Sequence, residues 1–143
     1  MTIEIISTPV TPAWADDILG GINAAACALN APPYEEELFG LQAVQDGRAV
    51  GHLTSKIIWE WLYVDLLWVE PAFQKHGIGT KLMRRAEAFA CERKLVGAYC
   101  WTQSWQAPKF YKKLGYEEFV QFSNFPRGHQ RIGFRKYLSF PRT

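Results

Sequence analysis

The sequence offers little for sulfur chemistry. Three cysteines (Cys27, Cys91 and Cys100) occur in 143 residues, and no two form a C-x-x-C pair. That argues against a disulfide framework and against a zinc site, so no metal is expected and the thiols read as reduced, in the cytoplasm. Charge of one sign is also scarce. Lys+Arg 16 against Asp+Glu 14 leaves a formal net charge of +2, too little to draw in nucleic acid or an anionic membrane by field alone. Long apolar runs are missing too. The most hydrophobic stretch, residues 57–73, is broken by Glu60, Asp65 and Glu70, each expensive at a bilayer centre. Met1-Thr2-Ile3-Glu4-Ile5 has no basic segment leading an apolar one, so neither a signal peptide nor membrane association is expected.

What is present is 48% hydrophobic and 15% aromatic, without repeats, low-complexity tracts or a linker. One domain spanning residues 1–143 is expected, burying roughly 68–70% of the surface that the unfolded chain exposes. Dimer formation is compatible with so aromatic a chain, although no residue pattern requires it.

Pattern then predicts the elements. Residues 3–7 alternate weakly as a first strand, ended by Pro9 and Pro12. Residues 14–29 read as helix, broken at Gly20-Gly21 and ended by Ala31-Pro32-Pro33. Residues 39–45 and 48–55 pair around Asp46-Gly47, a strong two-residue hairpin signal. Residues 61–69 form a strand apolar on both sides: Leu62, Val64, Leu66 and Trp68 share one, Tyr63, Leu67 and Val69 the other. Such a strand belongs mid-sheet under helices. Ile78, Leu82, Met83, Ala86, Phe89 and Ala90 recur at helical spacing, with Lys81, Arg84, Arg85, Glu87 and Glu92 directed elsewhere. Gly97 closes that helical region, and residues 98–102 make the next strand. Strand, helix and strand is the pattern of a right-handed crossover between parallel neighbours. Pro108 suits the first turn of a shorter helix and Gly115 the position just past its end. Residues 116–122 and 130–138 close the chain as a strand pair. The fold class is α/β (α+β type): a mixed central sheet flanked by helices, with one parallel pair at its centre.

The turn after the central strand reads Gln74-Lys75-His76-Gly77-Ile78-Gly79-Thr80. Its glycines let successive N–H groups converge, and with the positive end of the following helix they suit phosphate oxygens. Lys75 and His76 would add charge. Two competing motifs fail. A P-loop requires Gly-Lys-Ser/Thr where Leu82-Met83-Arg84 stands, and a dinucleotide fingerprint requires a third glycine at Leu82 and an acid where Gly97 stands.

About thirty residues later comes Ala107-x-x-Phe110-Tyr111-x-Lys113-x-Gly115-Tyr116. With Gln74-x-x-Gly77-x-Gly79 opening a helix, the pair resembles the GNAT (Gcn5-related N-acetyltransferase) superfamily. The likeness runs from the Phe39 hairpin to Leu138 and is strongest between Asp65 and Glu117. It implies acetyl transfer from acetyl-CoA, as cosubstrate, to an amine, with the cofactor between two splayed parallel strands. By position, the backbone of Leu67, Trp68 and Val69 would pair with pantetheine. Gln74 and the amides of Lys75, His76, Gly77, Ile78, Gly79 and Thr80 would hold the pyrophosphate. Ser104 stands three residues before Ala107, where the family often carries a pantetheine-binding Asn. Tyr111 would be the proton donor at the thioester sulfur.

The chemistry of amine acylation supports such roles on its own terms. An amine with a pKa of about 10.4 must lose a proton before attack, and the leaving thiolate needs a hydrogen-bond donor, which a tyrosine can supply. Asp65, the one charge in its strand, is the candidate base if an apolar cleft encloses it; otherwise it is a structural carboxylate. Glu60, acting through water, is the alternative base. Cys100 reads as packing rather than as a covalent acyl carrier, and His52 and His129 as hairpin and loop residues. Trp59, Trp61, Trp68, Trp101 and Trp105 are expected to be mostly core, with one or two walling an amine pocket by cation–π attraction. Lys109, Lys112 and Lys113 form a solvated face or a basic rim for phosphates. The partner would be a small-molecule amine, an antibiotic among them, or a protein amino group. A non-catalytic acyl-CoA-sensing module is the competing function.

Overall fold

A computed structural model describes residues 1–138. The chain divides after Glu35 into two units. The first carries helix α1 (Pro12–Ala28). Its six alanines are strong helix formers and hold it continuous through Gly20-Gly21, so the expected break does not occur. Asn30 ends it at φ 56°, with Ala31 N–H on Ala26 O at 2.9 Å and Asn30 N–H on Cys27 O at 3.1 Å. These are the two bonds of a Schellman close. The strand expected at residues 3–7 is not formed. Weak alternation offers a face but no ladder partner, and a strand needs its N–H and C=O groups paired.

Among its described residues the second unit is a six-stranded sheet with two α-helices and a short 3-10 turn at Pro71–Phe73. Its elements are β1 (Glu36–Gln45), β2 (Arg48–Ile58), β3 (Trp61–Val69), α2 (Ile78–Glu92), β4 (Gly97–Gln103), α3 (Pro108–Lys113), β5 (Glu117–Ser123) and β6 (Gln130–Tyr137). The sheet order is β1-β2-β3-β4-β6-β5. Among the described residues only β3 and β4 run parallel, over residues 61–64 and 97–100. Asp46 and Gly47 turn the first hairpin at φ 51° and 76°, the left-handed pair that such a loop demands. Pro108 opens α3 and Gly115 closes it at φ 93°, both as the sequence pattern predicts. Among the described residues no helix is long and apolar enough to cross a membrane.

One sheet face is the core. Leu82, Met83, Ala86 and Ala90 of α2 pack over Leu53, Leu62, Val64, Ala98, Cys100 and Phe134. Four expectations change here. First, α2 is closed not by Gly97 but by Lys94 at φ 57°, with Leu95 N–H on Ala90 O at 2.9 Å. Gly97 instead starts β4, where a Cβ would lie 2.6 Å from Lys136 O and 2.6 Å from the Trp61 ring. Second, Glu87 does not point away from the core; it is 7% exposed because Tyr116, Arg84 and Lys136 donate to its carboxylate.

Third, the two sides of β3 are not as simple alternation assigns them. Thr54 pairs with Leu66 but Ser55 with Val64, leaving Asp65 as an unpaired bulge residue. An extra residue reverses the alternation after it. Leu67 and Val69 therefore join Leu62 and Val64 against the core, while Leu66 and Trp68 stand 65% and 58% exposed. Fourth, none of the tryptophans expected in the core is buried. Trp61 and Trp101 lie on the sheet face opposite α2, packed edge-on or tilted against Tyr99, Tyr137, Phe119 and Phe122.

Candidate active site

The site begins where the parallel ladder ends. Beyond Val64 and Cys100, β3 and β4 no longer pair, and a cleft of about 650 Å³ opens between them. Asp65, Leu66, Leu67, Trp68 and Val69 line one wall, Trp101 and Thr102 the other, and Trp105, Gln106, Ala107, Phe110 and Tyr111 its far side. A second hollow of about 400 Å³, lined by Lys75, Gly77, Ile78, Gly79, Thr80 and Lys113, shares Val69, Gln74, Gly79 and Phe110 with the first. The two adjoin along those four residues, one at the start of α2 and the other reaching Tyr111.

The α2 end of these hollows has the features that suit an anion. The first N–H groups of a helix have no intrahelical acceptors. Here Gly77 is the N-cap at φ 78°, no side chain caps the turn, and no acid stands in it. Lys75 and Lys113 add positive charge at the rim. Uncapped amides, the helix dipole and two ammonium groups fit phosphate oxygens. Gly79 fits a different need. A Cβ there would sit 3.3 Å from Phe110 Cζ, so its smallness lets α3 close against the first turn of α2.

Several residues singled out in the sequence occupy other roles. The Gln74 side chain donates to Val69 O at 2.9 Å, tying the loop to the end of β3 while still lining both hollows. His76 points away from these hollows, into a separate groove with Gln42, Lys81 and Arg85. Ser104 lines neither hollow. Its hydroxyl accepts Gln130 N–H at 3.1 Å and its own N–H donates to Gln130 O at 2.8 Å, stitching the end of β4 to β6. Ala107 lines the cleft, with its N–H on Thr102 Oγ1 at 3.3 Å. Glu60 lies in the β2–β3 turn, its carbonyl accepting Val96 N–H at 2.7 Å, and does not line the cleft. Asp65 does line it but is exposed on its bulge, so protein atoms do not form the apolar enclosure anticipated around it.

Tyr111 is buried at the inner end of the cleft, its ring stacked on Phe134 at 5.9 Å. Burial, and then the hydrogen-bonded Cys100 thiol, push its ionisation well above the ordinary tyrosine value. Its hydroxyl therefore keeps its proton, with the Cys100 thiol as its hydrogen-bond partner. Burial likewise pushes the Cys100 thiol up to about 12, against a smaller opposing effect of the Tyr111 hydrogen bond. A thiol that does not ionise near neutral pH is a poor nucleophile, which agrees with packing rather than acyl carriage. Thr102 and Gln106 were not anticipated as lining residues. Thr102 is legible only as a buried hydroxyl near the turn before Pro108, and no sequence signal marks Gln106.

Known proteins are similar to this chain in sequence and fold. The model of the Acetyltransferase (GNAT) family matches residues 13–116. A blasticidin-S acetyltransferase of Streptomyces morookaense is 39% identical over 83 residues, which are 57% of this chain and 61% of that protein. This chain thus spans about three-fifths of the length of that curated relative. The crystal structure of an acetyltransferase from Bacillus cereus ATCC 14579 superposes with a TM-score of 0.84 at 26% identity, over 94% of this chain and 98% of that one. A Bacillus anthracis str. Ames chain solved in complex with acetyl coenzyme A shares the fold, with a TM-score of 0.66 at 20% identity over 71% of this chain and 63% of its own. With the match spanning most of the sequence and the parallel strands diverging over an uncapped helix start, the chain belongs to the GNAT acetyltransferase family.

Proposed function

We propose that this chain acetylates a primary amine, with acetyl-CoA as acyl donor and direct attack in a ternary complex. One observation carries the reading: a hollow at the uncapped start of α2 adjoins the cleft that opens between β3 and β4 and ends at buried Tyr111. The bound group supplies a thioester whose acyl carbon is open to a nucleophile. The amides of Gly77, Ile78, Gly79 and Thr80, with Lys75 and Lys113, hold the diphosphate. The β3 edge at Leu67, Trp68 and Val69 has lost its β4 partner and faces the cleft for the pantetheine amides, with Val69 O already accepting from Gln74. Holding both reactants in such a cleft itself supplies much of the acceleration.

The reaction balances as follows. The acceptor ammonium loses a proton to Asp65 or, through water, to Glu60 or solvent; its nitrogen then bonds to the acyl carbon as the carbon–sulfur bond breaks. Tyr111 donates its hydrogen bond to the departing sulfur. Because a thiol ionises near 8.5 and Tyr111 well above its ordinary value, the phenol stabilises the developing thiolate; the acylated nitrogen sheds a second proton to leave the neutral amide, so one released proton completes the free thiol and the other passes to solvent. Exposed Leu66, Trp68 and Trp105 (the last 56% exposed) wall the cleft mouth beside Asp65. Apolar rings next to a carboxylate suit a cationic amine. The name of the Streptomyces relative makes blasticidin S the first acceptor to assay, beside a small polyamine and a lysine peptide.

The test is thiol release from acetyl-CoA with those three amines. Tyr111→Phe should lower kcat by about 10²–10⁴ while leaving the Kd for CoA unchanged. CoA binding without turnover on any amine would favour the sensing module, and a fully active Tyr111→Phe would remove Tyr111 from the mechanism.

A further inference from the structure

Glu87 is a carboxylate on the core side of α2, and everything it touches leads to α3. Its Oε2 accepts from Tyr116 OH at 2.9 Å, its Oε1 from Arg84 at 2.9 Å, and Lys136 Nζ reaches both oxygens at 3.1 and 3.3 Å. The two cations do not stop there. Lys136 Nζ also donates to Leu114 O at 2.9 Å, and Arg84 to the same carbonyl at 3.3 Å. Leu114 is the C-cap of α3, and Tyr116 N–H closes that helix on Tyr111 O at 3.0 Å.

We propose that Glu87, Lys136 and Arg84 form a positioning unit that fixes the C-terminal end of α3 and thereby sets the Tyr111 hydroxyl in the cleft. α3 has six residues, far too few to hold itself as an isolated helix. Its N-terminal end is held by the Thr102 hydroxyl on Ala107 N–H; its C-terminal end is held by this unit, drawn from α2 and β6. Tyr111 lies between the two anchors, one helical turn before Leu114. Packing alone would bury Leu114 and Tyr116, and an apolar replacement of a buried ion pair commonly leaves stability unchanged or higher. Directed bonds to one carbonyl and one phenol constrain rotation and translation of α3 as apolar contacts do not. The unit touches neither hollow, so its effect on the reaction runs through Tyr111. The inference thus rests on the role proposed for that tyrosine.

The experiment is a double-mutant cycle in the full chain, read by thiol release from acetyl-CoA with blasticidin S as acceptor or, where that is not taken, water. Lys136→Met should lower kcat on the order of ten- to a hundredfold, as a displacement of about 1 Å does, with the KM for acetyl-CoA within about twofold of the parent. Lys136→Arg should restore most of the rate. Lys136→Met in the Tyr111→Phe background should cost nothing further, because the positioned hydroxyl is already gone. Glu87→Gln keeps shape and acceptor oxygen, and serves the same cycle should Lys136→Met not fold. A folded Lys136→Met or Glu87→Gln with parental kcat overturns the proposal, as does an equal loss in the Tyr111→Phe background. If Tyr111→Phe is itself fully active, the role of the tyrosine fails first and the positioning unit falls with it.

Discussion

Adding a carboxylate to the first turn of α2 separates an anion cradle from an ordinary helix start. Helix N-termini favour acids, each exposed one contributing about 0.3–1 kcal/mol. α2 has neither an acid in its first turn nor a side-chain cap. Thr80 is exposed there and lines the hollow at the start of α2, so Thr80→Glu should raise stability by about 0.5 kcal/mol. The same carboxylate opposes a bound diphosphate. At about 6 Å and an effective dielectric of about 40–80, each like charge costs about 0.7–1.4 kcal/mol. Two phosphate charges make that about 1.4–2.8 kcal/mol, a ten- to hundredfold rise in Kd. Calorimetric titration with CoA, paired with thermal melts, reads both effects. Thr80→Gln controls for size, and the Thr80→Glu penalty should shrink as salt screens it. A variant that melts higher yet binds CoA as before would refute the cradle, as would an equal loss in Thr80→Gln.

Three further outcomes follow from burial. Gly97→Ala places a Cβ 2.6 Å from Lys136 O and 2.6 Å from the Trp61 ring, and should cost about 1–3 kcal/mol in denaturant titration, as overpacking does; a neutral effect would mean that β4 and β6 separate easily there. The Cys100 thiol, raised from 9.0 to about 12, contributes stability that is whole below pH 9 and is lost as pH climbs toward 12, because the unfolded thiol ionises first. Buried Tyr111 and Tyr116, both raised, add losses of the same sign above pH 10. Melts between pH 9 and 10 should therefore decline in the parent and stay level in Cys100→Ser, and a maleimide should label exposed Cys27 long before Cys100.

Local chemistry was the legible part. Asp46-Gly47, the periodic face of α2 and the Pro108 and Gly115 brackets of α3 each depend on residues within a few positions, and each stands where the pattern predicts. The turn that opens α2 and the place of Tyr111 at the cleft likewise depend on two short segments; their roles toward a cofactor stay proposals. Non-local pairing was hidden. Glu87 reads as a solvated charge because its partners Tyr116 and Lys136 lie 29 and 49 positions away. Ser104 reads as a ligand because its true partner, Gln130, is 26 residues on. The tryptophans read as core because nothing in their spacing tells which sheet face the helices of the second unit leave uncovered.

The bulge at Asp65 ties these losses to the site itself. One extra residue in β3 turns Leu66 and Trp68 outward, which defeats any reading of the strand by alternation. Val64, the residue just before it, is also the last of β3 to pair with β4. Bulges bend a strand and increase its twist, so a strand bulged at Asp65 leaves its parallel neighbour at that point. The unpaired β3 edge, the gap leading to Tyr111 and the exposed carboxylate and indole at its mouth then share one cause. What looks in the sequence like a lone charge interrupting a core strand is, in the fold, the place where the sheet is made to open. An unbulged strand of the same composition would continue its ladder, keep Leu66 with Leu62 and Val64 against the core, and leave no cleft between β3 and β4.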